Sequence, residues 1–130
     1  MNKKIEFNSN QIKFIDSCTF NGLTGLLYIF FSYNQIKEIY SSTFNGLINL
    51  RFICFDDNQI KVIDRSIFGG LTELQSIDFS YNQIDLCTFN GFSNLREIDF
   101  RHNQIGSCTF NYFSSLKKIN FGNKKIKLHN

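Results

Sequence analysis

The chain has 130 residues, 19% of them charged and 42% hydrophobic, and a formal net charge of +3. That composition suits one globular domain and excludes a disordered or membrane-embedded chain, and so mild a charge by itself implies no nucleic-acid or lipid partner. Sixteen Phe and no Pro mark a fold that must find regular buried places for aromatic rings.

The N-terminal stretch MNKKIEFNSNQ has two lysines with no apolar run behind them, so no secretory signal is expected, and no later segment reaches membrane-spanning length. Within it, Ile5, Phe7, Asn10 and Ile12 open a phrase that then recurs down the chain. Each unit can be counted from its Leu at 26, 50, 74, 95 or 116. Position four is Ile (5, 29, 53, 77, 98, 119) and position six is Phe (7, 31, 55, 79, 100, 121). Position nine is Asn10, Asn34, Asn58, Asn82 and Asn103, spaced by 24, 24, 24 and 21 residues, and position eleven is again Ile. A second Phe (20, 44, 68, 89, 110) always precedes the next position nine by 14 residues, so the lost three fall between Asn and Phe.

Ile-x-Phe has the two-residue period of a strand, here a very short one followed by a turn. Stacked at about 4.8 Å per rung, such strands form a parallel sheet over a continuous column of Ile and Phe. The Asn amides can donate to and accept from the main chain where it leaves the strand, which predicts a structural ladder rather than a ligand row. On the opposite side, Phe-Asn-Gly-Leu at 20–23 and 44–47 and Phe-Gly-Gly-Leu at 68–71 combine a turn with inward side chains. Ile15, Ile39 and Ile63 add a buried layer. The shorter units offer only Leu86, then Ser107 beside Cys108, so a thinner side with little regular helix is expected there.

The motif Leu-x-x-Leu-x-x-Ile-x-Phe-x-x-Asn-x-Ile-x-x-Ile-x-x-x-x-Phe-x-x-Leu resembles the leucine-rich repeat family in its 24-residue, receptor-like form, with shortened 21-residue repeats at the C-terminal end. The resemblance implies an α/β-type solenoid that is mostly β and coil, a right-handed arc with a short-stranded parallel sheet on its concave face. It covers residues 1–130 as one domain, with a partial first unit, about five units in total, and a last unit frayed at Lys124 where Asn is expected. It also implies a non-enzymatic module that binds proteins. The chain departs from receptor-type members in having Asp16, Tyr40 and Asp64 where a proline often stands, and in lacking flanking cysteine-clustered caps.

Side chains flanking the inward Ile and Phe should face out over the concave surface at positions three, five, seven and eight. Tyr28, Phe30, Phe52 and Cys54 then form an exposed apolar patch, the usual kind of interface anchor. Asp56, Asp57, Asp78, Glu97 and Asp99 form an acidic zone beside it, edged by Arg101 and His102, with Tyr33 and Tyr81 completing the candidate surface. A partner presenting an apolar side chain flanked by basic residues fits this pattern. Two alternatives are a scaffold fragment of a longer receptor-like protein whose binding rungs lie elsewhere, and polyanion binding through Lys117, Lys118, Lys124, Lys125 and Lys127. Those lysines read better as charges that keep an open sheet edge from pairing.

Cys18, Cys87 and Cys108 occupy the same place in their units, and a Cys87–Cys108 disulfide on adjacent rungs is sterically open. Cys18 and Cys54 lack partners, which together with the absence of Asn-x-Ser/Thr favours a cytoplasmic chain, or an extracellular one if this is a fragment. No cofactor, metal site or catalytic residue is expected: there is no Cys-x-x-Cys, no phosphate-binding Gly loop, and no enclosed pocket for the Asp78–Asp99 pair.

Overall fold

The computed structural model describes residues 3–63, 65–90, 95–104, 107–111 and 118–122, with backbone alone for 65, 86–90 and 107–111. The Ile-x-Phe steps fall where three-residue strands form: β1 (Lys4–Glu6), β2 (Tyr28–Phe30), β3 (Phe52–Cys54), β5 (Ser76–Asp78), β7 (Glu97–Asp99) and β9 (Lys118–Asn120). They pair in parallel in the order β1-β2-β3-β5-β7-β9. Equivalent repeat positions are register partners, as with Tyr28 and Phe52, Cys54 and Asp78, or Asp78 and Asp99. The result is a right-handed, mostly β solenoid.

The strands are short because the chain turns sharply at position eight. Ser9, Tyr33, Asp57, Tyr81 and His102 all have φ of 57–59°, a left-handed conformation that no strand can continue through. The next residue is the ladder Asn. Asn34, Asn58, Asn82 and Asn103 are buried, and each makes the same set of bonds. Asn58 Nδ2 donates to Phe31 O at 2.9 Å and to Phe55 O at 3.1 Å, while its Oδ1 accepts from Ile36 N at 3.0 Å. Each side chain thereby joins its own turn to the rung before it. Asn10, on the first rung, is exposed and bonds only within its own turn among the described contacts.

Behind the sheet run two columns of rings. Phe7, Phe31, Phe55, Phe79, Phe100 and Phe121 stack in sequence, with centroids 5.0–5.8 Å apart and planes within 11° of parallel. Phe20, Phe44 and Phe68 form the second column and meet the first at steeper angles. Each fully buried Phe contributes about 1.5–3 kcal/mol from leaving water, and each ring pair about 0.5–1.5 kcal/mol more. Ile15, Ile39 and Ile63 are buried with them, as the repeat predicts.

The return side differs from expectation in kind. The long units carry turns at 17–22 and 41–46 and a 3₁₀ turn at Arg65–Phe68; β4 (Val62–Ile63), in the last long unit, pairs with β6 (Leu86–Asn90), and β6 with β8 (Ser107–Asn111), the two strands of the shortened units, in a second, three-stranded parallel sheet. The physical reason lies in the three-residue deletion. With fewer residues to cross the same width, the chain must extend toward the roughly 3.3 Å per residue of a strand. Cys87 and Cys108 are register partners in this sheet; their side chains lie outside the described residues, as do Lys117, Lys124, Lys125, Lys127 and the frayed end.

Candidate functional site

The register brings the candidate residues of the concave face together in rungs. Tyr28 lies beside Phe52 and Phe30 beside Cys54, as the spacing requires. Their exposure departs from a simple alternation. Tyr28, Phe30 and Phe52 are half-buried, and the rings of Phe30 and Phe52 pack on each other at 5.5 Å. Lys4, paired with Glu6 at 2.9 Å, lies over the Phe30 ring at 5.8 Å. Cys54 is buried at 7% exposure and therefore does not belong to an exposed patch.

Cys54 is buried because its thiol has polar company. The Sγ–H donates to Asp56, the Ser32 hydroxyl also donates to Asp56, and Sγ lies 3.4 Å from Ser32 Oγ. Burial first, and then the Asp56 carboxylate, push the thiol up to about 12, so it is protonated at neutral pH. One rung on, Asp78 Oδ1 accepts from the Ser80 hydroxyl at 2.7 Å and the Ser80 amide at 2.9 Å, and Ser80 is buried. Positions five and seven thus hold each other down, leaving positions three and eight the more accessible rows. Ser32 and Ser80 stand at position seven, which the spacing places on this face, without being among the candidate residues themselves. Their two-residue spacing from Phe30 and Asp78 was the available signal.

The carboxylates are unevenly compensated. Asp99 is held by Arg101 through Nε and Nη2, at 2.8–3.0 Å. Among the described residues, Asp56, Asp57 and Asp78 have no Lys, Arg or His within ion-pair distance. Asp57 feels this directly. Burial, then the hydrogen-bonding and charge of Asp56, then the charge of Asp78 raise its carboxyl above the usual range. Donor atoms of Cys54, Asp56 and Asp78 lie within 4.8 Å of one another, a spacing a cation could use, but the protonated thiol and the serine hydroxyls already satisfy the group internally.

Tyr33 and Tyr81 stand at the rim, 60% and 50% exposed, and Tyr81 stacks on His102. A shallow depression of about 250 Å³ lies between Phe52, Ser76, Asp78, Glu97, Asp99 and Arg101. A larger groove of about 600 Å³ lies away from this face, lined in part by Lys37, Glu38, Tyr40, Lys61 and Val62, with charges of both signs. Among the described residues nothing on the open concave face encloses a reacting group. It offers half-buried rings and excess negative charge on a rigid frame.

Family models described as leucine rich repeat match residues 3–60 and 53–105, and again 94–123. No curated protein matches the chain. Among solved structures, the Toll–Spatzle complex of Drosophila, in its glycosylated form, is similar over 97% of this chain at 20% identity and a TM-score of 0.82. The leucine-rich repeat domain of APL1 is similar over 92% at 17% identity and a TM-score of 0.68. The chain spans 19% and 36% of the lengths of those two chains. At such identities the likeness is one of fold.

Proposed function

The chain belongs to the leucine-rich repeat family, and on that premise we propose that it binds a partner protein or peptide through its concave face, without catalysis. The carrying observation is the Phe30–Phe52 pair, two rings packed on each other across neighbouring strands yet only half-buried. Aromatic side chains held on a preformed sheet bind with little ordering cost, which is what an interface anchor needs. Asp56, Asp57 and Asp78 beside them favour basic residues around the partner's apolar contact. The similar Toll structure is of a complex with Spatzle, which supports a protein as the partner class. We read the 24- and 21-residue units as the receptor-like form of the repeat.

A second reading has the chain as a scaffold segment whose binding rungs lie elsewhere in a longer protein. The 19% and 36% of the similar chains that it spans favour that reading. Among the described residues no helix is long and apolar enough to cross a membrane. The glycosylated state of the similar Toll structure weakens the expectation of a cytoplasmic compartment.

The two readings separate in a capture experiment from extract of the source organism. Immobilised wild type is compared with a Phe30→Ser, Phe52→Ser variant shown by circular dichroism to be folded. A protein retained by wild type and lost by the variant supports the concave face. Equal capture by both, or none by either, supports the scaffold reading.

A further inference from the structure

The proposal rests on the concave-face reading and adds the chemistry of one contact at its rim. Tyr33, Asp57, Tyr81 and His102 occupy position eight on successive rungs, and their left-handed backbones are tied in register. Tyr33 N donates to Asp56 O at 3.1 Å, Asp57 N to Ser80 O at 3.1 Å, and Tyr81 N to Arg101 O at 2.9 Å. Side chains in this row therefore stand side by side. Tyr81 and His102 show what two rings do there: their centroids are 4.2 Å apart and their planes 15° from parallel. Tyr33 meets no ring on the next rung, because that place holds Asp57. Two rungs separate Tyr33 from Tyr81, about 10 Å at the roughly 4.8 Å spacing of neighbouring strands. The gap has the width of one flat group between two rings.

Charge decides which group. Asp57 sits in the gap, and Asp56 and Asp78 add to its field. Among the described residues no Lys, Arg or His lies within ion-pair distance of these three carboxylates, and Lys4 and Arg101 pair instead with Glu6 and Asp99. A cation midway would lie about 5 Å from each ring, inside the roughly 6 Å reach of cation–π attraction. A planar guanidinium can stack on both rings and present its paired N–H groups to a carboxylate, which an ammonium cannot. We propose that Tyr33, Asp57 and Tyr81 form a slot for the guanidinium of an arginine carried by the partner protein.

The test is an amide and tyrosine-ring NMR titration of the full chain at low salt with Nα-acetyl-arginine amide. Nα-acetyl-lysine amide and the neutral, near-isosteric Nα-acetyl-citrulline amide serve as controls. The slot predicts saturable shifts centred on Tyr33, Asp57 and Tyr81 with arginine, at least about threefold weaker binding with lysine, and no saturation with citrulline. Asp57→Asn and Tyr33→Asn, both compatible with a left-handed backbone, should each weaken arginine binding about threefold. Equal shifts with arginine and citrulline, or arginine shifts centred on Glu97 and Asp99, would overturn the slot. These comparisons on wild type stand even if a variant fails to fold. The probes carry no apolar anchor, so the titration reads the slot without engaging the Phe30–Phe52 pair. Failure of the slot would thus leave the capture result intact, and failure of capture would leave the titration intact.

Discussion

The side-chain oxygen of Asn58 accepts the main-chain N–H of Ile36 at 3.0 Å, across 22 residues of sequence. Through the same amide, Asn58 also donates to the carbonyls of Phe31 and Phe55. One side chain therefore closes its own turn and fastens it to the preceding rung. Asn58→Ala would leave these buried groups without that partner, at about 1–3 kcal/mol for each one stranded. We predict a loss of about 3 kcal/mol in urea unfolding, against about 1 kcal/mol or less for Asn10→Ala on the exposed first rung. Equal losses at the two sites would show that the ladder is not what joins the rungs.

Thr43 stands at a repeat position that holds Thr in four units (19, 43, 88, 109) and Ile only at 67. Its hydroxyl is buried with no hydrogen-bond partner among the described residues, whereas the equivalent Ile67 is buried and apolar. Thr43→Val replaces the hydroxyl with a methyl of similar shape and relieves the desolvation cost. Thermal or urea unfolding should show a gain of about 1 kcal/mol. A loss of stability would mean that the hydroxyl has a partner in solution.

Cys54 should be chemically silent in the folded chain. Its thiol is buried, donates to Asp56 and has a value pushed up to about 12. Mass-mapped alkylation at neutral pH should label the exposed Cys18 and leave Cys54 unlabelled until the chain unfolds. A raised folded-state value favours the folded state while the thiol keeps its proton. That contribution is full below the ordinary value of 9.0 and is lost as pH rises through about 12. Wild type should therefore lose stability relative to Cys54→Ser over that alkaline window. A pH-independent difference between the two would contradict the buried, protonated thiol.

These cases show what could be read from the sequence. Position four Ile and position six Phe are inward because a two-residue period leaves no other face, and the Asn ladder follows from the need to satisfy the turn's main-chain groups. Cys54 did not follow from period, because a side chain's outward direction does not fix its exposure. Its burial depends on Ser32, which reaches it from the preceding rung, and on Asp56 of its own turn. The second sheet was hidden for a similar reason. The three-residue deletion is visible in the spacing, but its consequence, extension of 86–90 and 107–111 into paired strands, comes from the width each rung must cross.

We have proposed the concave face as the binding surface. Titration calorimetry with the captured partner tests it most directly, with wild type set against two folded double variants. One is the concave Phe30→Ser, Phe52→Ser; the other is Tyr40→Ser, Val62→Ser, at the groove away from the sheet, where both residues are exposed. Binding on the concave face requires at least about tenfold weaker affinity for the concave variant, roughly 1.4 kcal/mol, and affinity within about twofold of wild type for the other. Unchanged affinity in the concave variant, with loss in the Tyr40, Val62 variant, would contradict it and move the binding surface to the groove.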